Sequence, residues 1–277
     1  MSFFFNVTGT LNPNRHWLRH FVPKARIQFE RGNFIIKTVE NRTELEEVLR
    51  LRYNVFHREH LNRKMPHGID SDRFDRLADH LVIKDRASGR IVGTYRLISS
   101  RYSPEFYSQS EFCLGELQAL PGTKLELSRA CIHKDFRTGQ VMHLLWRGLA
   151  RYIQECEIDY LFGMASIWTM DPAEIVKVYT YLAKAGHIRF DLNVPPTEAC
   201  RMSSLTLDRT LMADPEQVKD SPLAKTIPPL LQSYLKMGAQ ICPEPALDRN
   251  FRCVDFLTIL RIADLAKSYE KKYARSN

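Results

Sequence analysis

The sequence predicts an α/β fold, and three observations lead to that prediction. Apolar strand patterns alternate with long amphipathic helical patterns along most of the 277 residues. Residues 124–167 read as one strand–helix–strand unit, the repeating element of sheets that are covered by crossover helices. No internal repeat or low-complexity linker interrupts the chain. One sheet with flanking helices and peripheral additions is therefore the simplest architecture.

The composition is that of an ordinary globular protein with a basic surface. Hydrophobic residues make up 44% of the chain and charged residues 26%, and the net charge is +8. A basic surface attracts nucleic acid, anionic lipid or acidic proteins, and composition alone does not choose among them. The sequence contains no run of 18 apolar residues and no leader pattern at its N-terminus, so we predict neither a membrane-spanning helix nor a signal peptide.

The six cysteines predict a reducing, cytoplasmic environment. They include no CxxC pair and no zinc-type spacing, and several lie inside apolar runs. Histidine pairs at helical spacing occur at His16/His20 and His57/His60, but no third ligand accompanies them. The sequence therefore predicts no metal site.

Three segments are predicted along the chain. Residues 1–33 read as a loosely organised basic and aromatic arm, residues 34–262 as the main domain, and residues 263–277 as a charged C-terminal helix. The arm has two interpretations. It either contacts a membrane surface or packs on the domain.

The first clear helix contains a charge on its apolar side. Thr43 and Glu46 have the spacing of a capping box, which predicts a helix start at Thr43. The apolar stripe that follows is formed by Leu45, Val48, Leu49 and Phe56. Arg52 lies in the centre of that stripe, so we expect its side chain to point inward, towards a carboxylate or a substrate. The alternative is a stem that snorkels across the helix edge.

Aspartates cluster shortly after this helix, at Asp70, Asp72, Asp75 and Asp79. The glycine and the terminal glutamate of a calcium-binding loop are absent. A solvated acidic loop is one interpretation, and carboxylates that face a cation are the other.

The next strands also carry charges in apolar surroundings. Residues 81–84 and 90–98 predict a hairpin, with Arg96 on an apparently apolar face. Lys124–Ile132 predicts a strand that contains Glu126 and Arg129. Burying either charge alone costs several kcal/mol, so each needs a partner or a substrate. Since strict alternation places them on opposite faces, we predict a β-bulge around Leu127–Arg129. A structural ion pair between them is the alternative.

The remaining pattern predicts alternating helices and strands. Gly148 lies on the buried stripe of one of these helices, which predicts a close approach to the sheet. The predicted elements are a helix over 139–156, a strand over 159–167, a helix from Asp171-Pro172 to near Gly186, an irregular region over 189–222, a helix from Pro228-Pro229 to Gly238, a strand over 254–260 and a helix over 262–275.

The order of these motifs resembles that of acyl-homoserine-lactone synthases. The matching residues are Arg52 and Phe56, the aspartate run, residues 93–97, and residues 126–129. Residues 144–149, 160–166 and 228–239 are similar to a sister group, the bacterial ornithine-lipid N-acyltransferases, often labelled hemolysin-like. The resemblance spans roughly residues 35–260. It implies a GNAT-like central mixed sheet with a splayed β-α-β core, flanking helices and a C-terminal helical and strand addition.

This resemblance also implies an activity. Such enzymes transfer a 3-hydroxy fatty acyl chain from acyl carrier protein to the α-amino group of ornithine, giving a lyso-ornithine lipid. Aminolysis of a thioester needs a neutral amine, a base and donors for the developing oxyanion. The candidate catalytic residues are Glu126 as the first choice of base, Asp72 as the second, and Arg129. The residues expected to bind the acceptor are Arg52, Phe56, Asp70, Asp75 and Arg96. Those expected to bind the donor's pantetheine arm are His133, Arg137, Thr138, Gly139 and Ser166.

One departure from related acetyltransferases bears on the acyl donor. CoA-dependent members carry glycines in the loop that wraps the CoA diphosphate, whereas this sequence has Gln140 and Met142 there. Bulky residues disfavour tight backbone approach to a diphosphate but leave room for the single phosphodiester of a carrier protein. An acidic carrier protein also suits the positive net charge.

We therefore expect no resident cofactor, with the acyl donor presented on the phosphopantetheine arm of acyl carrier protein. The expected acceptor is an amino acid. We also expect a peripheral position at the inner membrane surface and no nucleic acid partner. The alternatives are an acyl-homoserine-lactone synthase, a CoA-dependent acetyltransferase and a non-catalytic membrane-binding protein. The acyl length, the acceptor's identity and the oligomeric state stay open.

Overall fold

A computed structural model describes residues 21–202 and 227–265 of the chain. Most of the predicted N-terminal arm and of the predicted C-terminal helix lies outside these residues. The described chain forms two compact units. The first contains the residues up to Ile98 and Arg129–Cys156, and the second contains Ser99–Ser128 and the residues from Glu157 onward. Within the described ranges, no helix combines the length and the apolar composition needed to cross a bilayer.

The first unit is built on antiparallel strands, each paired with the next along the chain. The strands are β1 (Gln28–Arg31), β2 (Phe34–Thr38), β3 (Asp79–Asp85) and β4 (Ile91–Ser99). Its helices are α1 (Arg42–Arg52), a π-helix that continues α1 over Tyr53–His60, and α3 (Gln140–Glu155).

The helix α3 packs closely on this sheet. A Cβ atom on Gly148 would lie 2.7 Å from Ile36 Cγ2 and 2.8 Å from Leu81 Cδ1. Only a residue without a side chain leaves room for the two strands at this distance. The close approach predicted for Gly148 is confirmed.

The second unit contains a mixed sheet. It includes the start of β5 (Lys124–Ile132), then β6 (Tyr160–Ile167), β7 (Gln240–Ile241), β8 (Ala246–Asp248) and β9 (Cys253–Arg261). β5 runs parallel to β6, whereas β6, β7 and β8 each run antiparallel to β9. The helices of this unit are α2 (Gly115–Ala119), α4 (Pro172–Lys184) and α5 (Pro229–Lys236).

The core of the second unit lies between its helices and β9. Ile175 and Leu182 of α4 and Leu231 of α5 pack with Val254 and Phe256 of β9, and all five side chains are buried. Because α4 and α5 present apolar residues at helical spacing, each buries one face against the strand.

The parallel pair β5 and β6 is splayed. Their register covers only Lys124–Glu126, whereas β6 stays paired with β9 along its whole length. Just beyond the paired residues, a Cβ atom on Gly163 would lie 2.2 Å from the carbonyl oxygen of Leu127. Further along β5, Arg129 has a φ of 51°, in the left-handed region that non-glycine residues seldom adopt. This φ interrupts the regular strand at Arg129, and the β-bulge predicted around Leu127–Arg129 stays a prediction.

Most predicted elements are confirmed within two or three residues, but two predictions were wrong. Residues 28–31 form an edge strand instead of a loose arm, and their polar side chains hide the apolar alternation of a strand. The cap of α1 is Asn41, whose side chain accepts from the Glu44 amide at 3.0 Å, so the helix begins before Thr43. The predicted C-terminal helix stays a prediction, because the described residues end shortly after a 3₁₀ turn at Ile262–Asp264.

Candidate active site

Arg52 forms the centre of a buried ionic cluster in the first unit. Its side chain is 1% exposed. Its Nη2 lies 2.7 Å from Asp70 Oδ2, and its Nη1 lies 2.6 Å from Asp75 Oδ1. The inward orientation predicted from the helical stripe is therefore confirmed, and the partners are carboxylates.

Two further arginines complete this cluster. Arg96 Nη1 lies 2.6 Å from Asp72 Oδ1 and 3.2 Å from Asp75 Oδ1. Arg129 reaches Asp70 Oδ2 and Asp72 Oδ2, each at 3.4 Å. We name the three arginines and three aspartates the Arg–Asp cluster. Asp75 and Arg96 are fully buried, so the solvated acidic loop is excluded for these aspartates.

Local sequence explains how the three aspartates converge. Asp72 caps a short 3₁₀ helix at Arg73–Arg76, where its side chain accepts from the Phe74 amide at 2.8 Å. Asp75 returns the contact by accepting from the Asp72 amide at 2.8 Å. This reciprocal cap fixes both carboxylates towards the interior, where the arginines meet them.

Burial and charge act against each other in the cluster. Burial by itself would raise the pKa of the Asp70 and Asp75 carboxyls, but Arg52 and its neighbours hold both well below the usual range. The pKa of the Arg52 guanidinium is raised, because Asp75 and Asp70 outweigh its desolvation. All three groups are therefore ionised at neutral pH.

Two histidines that the sequence did not assign to the site border the cluster. His57 Nε2 lies 3.1 Å from Asp70 Oδ1, and His80 Nε2 lies 3.3 Å from the Asp75 carbonyl oxygen. Burial lowers the pKa of His80 to about 4, so its ring is neutral at physiological pH. His57 lies in the π-helix after Arg52, and irregular helical turns of this kind are frequent at functional sites.

Glu126 lies in the second unit and is fully buried. Its carboxylate accepts from the Tyr107 and Ser108 amides, both at 2.6 Å, and from the Ser108 hydroxyl. These three contacts fix the orientation of the carboxyl group. No pattern in residues 106–110 indicated this role of the turn.

Glu126 and Arg129 fall in different units. Their convergence on one substrate therefore stays a prediction. The same holds for the direct Glu126–Arg129 ion pair.

The residues predicted to hold the donor's arm lie around the start of α3, with one exception. Gly139 is the N-cap of α3, and Arg137 and Thr138 precede it on an exposed turn. His133 Nε2 lies 3.0 Å from Arg90 Nη2, and Arg137 Nη2 lies 2.7 Å from Glu59 Oε2. The helix N-terminus and the guanidinium groups of Arg90 and Arg137 form a surface suited to a phosphate group.

The exception is Ser166, which lies in the second unit. Its hydroxyl donates to Asp255 Oδ1 at 2.5 Å. Its predicted contact with the pantetheine arm stays a prediction.

Comparison with known proteins relates the chain to acyltransferases. Residues 51–147 match the model of the acetyltransferase (GNAT) domain. The L-ornithine N(alpha)-acyltransferase of Rhizobium meliloti (strain 1021) is 28% identical over 282 residues, covering 96% of this chain and 93% of that protein. The L-ornithine N(alpha)-acyltransferase of Rhodobacter capsulatus is 29% identical over 260 residues, covering 88% and 95% respectively.

Among solved structures, the CoA-dependent acyl-homoserine lactone synthase BjaI, with SAM and isopentyl-CoA, has a TM-score of 0.48 at 15% identity. The match covers 85% of this chain and 84% of that chain. FeeM, an N-acyl amino acid synthase from uncultured soil microbes, has a TM-score of 0.45 at 10% identity, covering 90% and 97%.

The mixed sheet and the splayed parallel pair form a GNAT-like α/β fold, and the match over residues 51–147 together with the curated relatives indicates an N-acyltransferase. The predicted fold class and the predicted enzyme class are thereby confirmed. The predicted resemblance is confirmed as well, since curated L-ornithine N(alpha)-acyltransferases are similar to this chain over most of its length.

Proposed function

We propose that the protein transfers a long, 3-hydroxylated fatty acyl chain from acyl carrier protein to the α-amino group of ornithine. One observation carries this proposal. Four proteins named L-ornithine N(alpha)-acyltransferase are 27–29% identical to the chain and cover 87–96% of it. The product would be a lyso-lipid in which an amide joins the acyl chain to the amino acid.

The Arg–Asp cluster supports an amino acid as the acceptor. Arg129 makes its two ion pairs at 3.4 Å, whereas Arg52 and Arg96 approach their nearest carboxylates to 2.6 Å. Arg129 and Asp72 are also its most exposed side chains, at 12% and 24%. The looser pair is the one an acceptor can enter, its α-carboxylate meeting Arg129 and an ammonium group meeting Asp72. Phe56, which is half-buried and follows Arg52 by four residues, would line this acceptor site.

Glu126 is the proposed base for the attacking amine, acting directly or through one water molecule. Its three donors fix the orientation of its carboxyl group, which a proton acceptor requires. Asp72 is the second candidate, because it is the most exposed carboxylate of the Arg–Asp cluster.

The start of α3 is the proposed site for the donor's phosphate. Gln140 and Met142 replace the small residues that a CoA diphosphate needs, and Arg90, Lys134 and Arg137 supply positive charge around Gly139. An acidic carrier protein would be attracted to this surface.

Charge reversal at Arg90 and Lys134 should raise KM for acyl carrier protein thioesters at least fivefold and leave kcat nearly unchanged. Lys177→Glu, on α4 of the other unit, is the control.

A peripheral membrane position is proposed from the product and from the surface. The exposed large apolar side chains of the second unit include Trp168, Met170, Val176 and Phe190. Apolar residues of this kind insert into the interfacial region of a bilayer, and nearby cations favour anionic lipids. Flotation with vesicles containing anionic lipid should recover the wild-type protein, and Trp168→Ser should weaken its recovery.

The deciding experiment offers the purified full chain a set of donors and acceptors. The donors are acyl and 3-hydroxyacyl thioesters of acyl carrier protein and of CoA, and the acceptors are ornithine, lysine, other amino acids and S-adenosylmethionine. Mass spectrometry should detect N-acyl ornithine from the carrier protein thioester. A homoserine lactone product would establish the rival synthase. Consumption of no thioester with any amine, together with vesicle binding, would favour a non-catalytic membrane protein.

A further inference from the structure

A second group of buried acidic side chains lies in the second unit, outside the residues assigned above to acyl transfer. Asp248 ends β8 and Cys253 begins β9, directly opposite each other in the register. Asp255 lies two residues further along β9, on the same face as Cys253. One ligand atom from each of these three residues lies within 4.8 Å of the others. Strand pairing alone therefore brings two carboxylates and a thiol together.

Glu111 adds a third carboxylate from another part of the chain. It follows the turn that holds Glu126, it is 5% exposed, and no hydrogen-bond partner reaches its Oε2 among the described residues. The side chains of Glu111 and Asp255 lie within hydrogen-bond reach of each other. A buried carboxylate oxygen without a donor, facing two more carboxylates, requires a cation or a proton.

We propose that Glu111, Asp248, Cys253 and Asp255 bind one divalent transition-metal ion, with zinc as the best match. Cys253 Sγ lies 3.6 Å from Asp255 Oδ2. This matches the separation of about 3.6 Å between two ligands of tetrahedral zinc with Zn–S and Zn–O bonds near 2.2 Å. A thiolate among carboxylates suits a borderline ion better than magnesium or calcium, which select oxygen ligands alone.

The surroundings of the four side chains fit ligands that are held in place. Asp255 Oδ1 accepts from the Ser166 hydroxyl at 2.5 Å, which leaves Oδ2 facing Cys253. Asp248 Oδ1 accepts from the Asn250 and Phe251 amides at 2.7 and 3.0 Å, which leaves its Oδ2 available. Hydrogen bonds of this kind orient the carboxylates of metal sites.

The metal ion would have a positioning role. The Glu111 amide donates to the Ser108 carbonyl at 3.1 Å, and Ser108 in turn donates to Glu126 through its amide and its hydroxyl. Fixing Glu111 by coordination would therefore fix the turn that orients Glu126. All four side chains are buried, which argues against the ammonium group of a substrate, since that group would arrive attached to an organic chain.

The test measures metal directly, so its outcome is independent of acyl transfer. The full chain is purified without chelators or metal-affinity steps after growth with added zinc, and metal is quantified by inductively coupled plasma mass spectrometry. We expect about one zinc ion per wild-type chain and at least a tenfold lower content in the Cys253→Ala/Asp255→Asn variant. Cys242→Ala is the matched control, since Cys242 is also a buried cysteine of this unit but lies outside the group. The Cys242→Ala variant should retain its zinc.

A second measurement covers the case in which the double variant folds poorly. Cobalt bound to the wild-type protein should give a thiolate-to-cobalt charge-transfer absorption, and Cys253→Ser should lose it while circular dichroism stays unchanged. A wild-type protein that retains no stoichiometric zinc or cobalt after dialysis would overturn the proposal. So would a Cys253→Ala/Asp255→Asn variant that keeps its metal. The group would then be held by a proton shared between Glu111 and Asp255.

Discussion

Replacement of Asp75 by asparagine tests whether the Arg–Asp cluster is a coupled buried unit. Asp75 is fully buried and receives Arg52 at 2.6 Å, Arg96 at 3.2 Å and the Asp72 amide at 2.8 Å. Asparagine keeps the shape of the side chain but removes its charge. Two buried guanidinium groups then share the remaining aspartates. Removing one partner of a buried ion pair costs about 3–5 kcal/mol, because the other charge stays buried.

The matched control is Glu46→Gln on the same helix as Arg52. Glu46 pairs with Arg42 at 2.7 Å, but both side chains reach solvent. An exposed pair of this spacing contributes about 0.3–0.5 kcal/mol. The two substitutions remove the same charge from pairs of similar length, so their difference isolates the effect of burial.

The assay is urea unfolding followed by circular dichroism at pH 7, with the midpoint and slope fitted for each variant. We expect Asp75→Asn to lower the free energy of unfolding by about 3 kcal/mol or more, and Glu46→Gln by less than about 1 kcal/mol. A loss for Asp75→Asn that equals the loss for the control would refute the reasoning. The three aspartates would then contribute to substrate binding alone.

Three further predictions follow from other parts of the structure. Burial lowers the pKa of His80 to about 4 from the ordinary 6.5, so between these pH values the unfolded chain binds a proton that the folded chain excludes. The free energy of unfolding should therefore fall by up to about 3 kcal/mol as the pH drops from 6.5 to 4. Urea unfolding at a series of pH values should show this fall for the wild-type protein and a flatter dependence for His80→Gln. Gly163→Ala should lower the thermal midpoint by several degrees in calorimetry, because its Cβ would lie 2.2 Å from a backbone oxygen. The control is Gly115→Ala, whose Cβ would have no atom within 4 Å and should leave the midpoint unchanged. Equal midpoints for the two variants would contradict the close approach at Gly163. Ser108→Ala removes one of the three donors to Glu126. With Glu126 as the base, the acid limb of the pH–rate profile should move to higher pH, and an unchanged limb would exclude it.

Much of the fold was predictable because periodicity and local chemistry agree. The strand over Lys124–Ile132 and the helix over Gln140–Glu155 lie where their apolar spacing placed them. The edge strand at Gln28–Arg31 was missed, because a mostly exposed strand needs no apolar alternation. Its partner β2 supplies the pairing that defines it, and such pairing cannot be deduced from the segment itself.

The candidate site was predictable where a charge interrupts an apolar pattern. Arg52 and Arg96 lie on apolar faces, so the sequence indicates that they are buried. It does not indicate which aspartate each one meets, since that depends on the turn at Arg73–Arg76. Ser108 was missed because a serine in a short turn has no distinctive pattern, and its role depends on contact with a strand 18 residues away.

The equal numbers of arginines and aspartates in the Arg–Asp cluster have an evolutionary consequence. Three cations and three anions neutralise one another through shared contacts, so losing one member leaves an opposite charge stranded in the interior. Drift at these six positions should therefore be concerted. Related chains should keep all six residues or exchange several of them together. The Arg–Asp cluster should therefore identify homologues even where overall sequence identity is low.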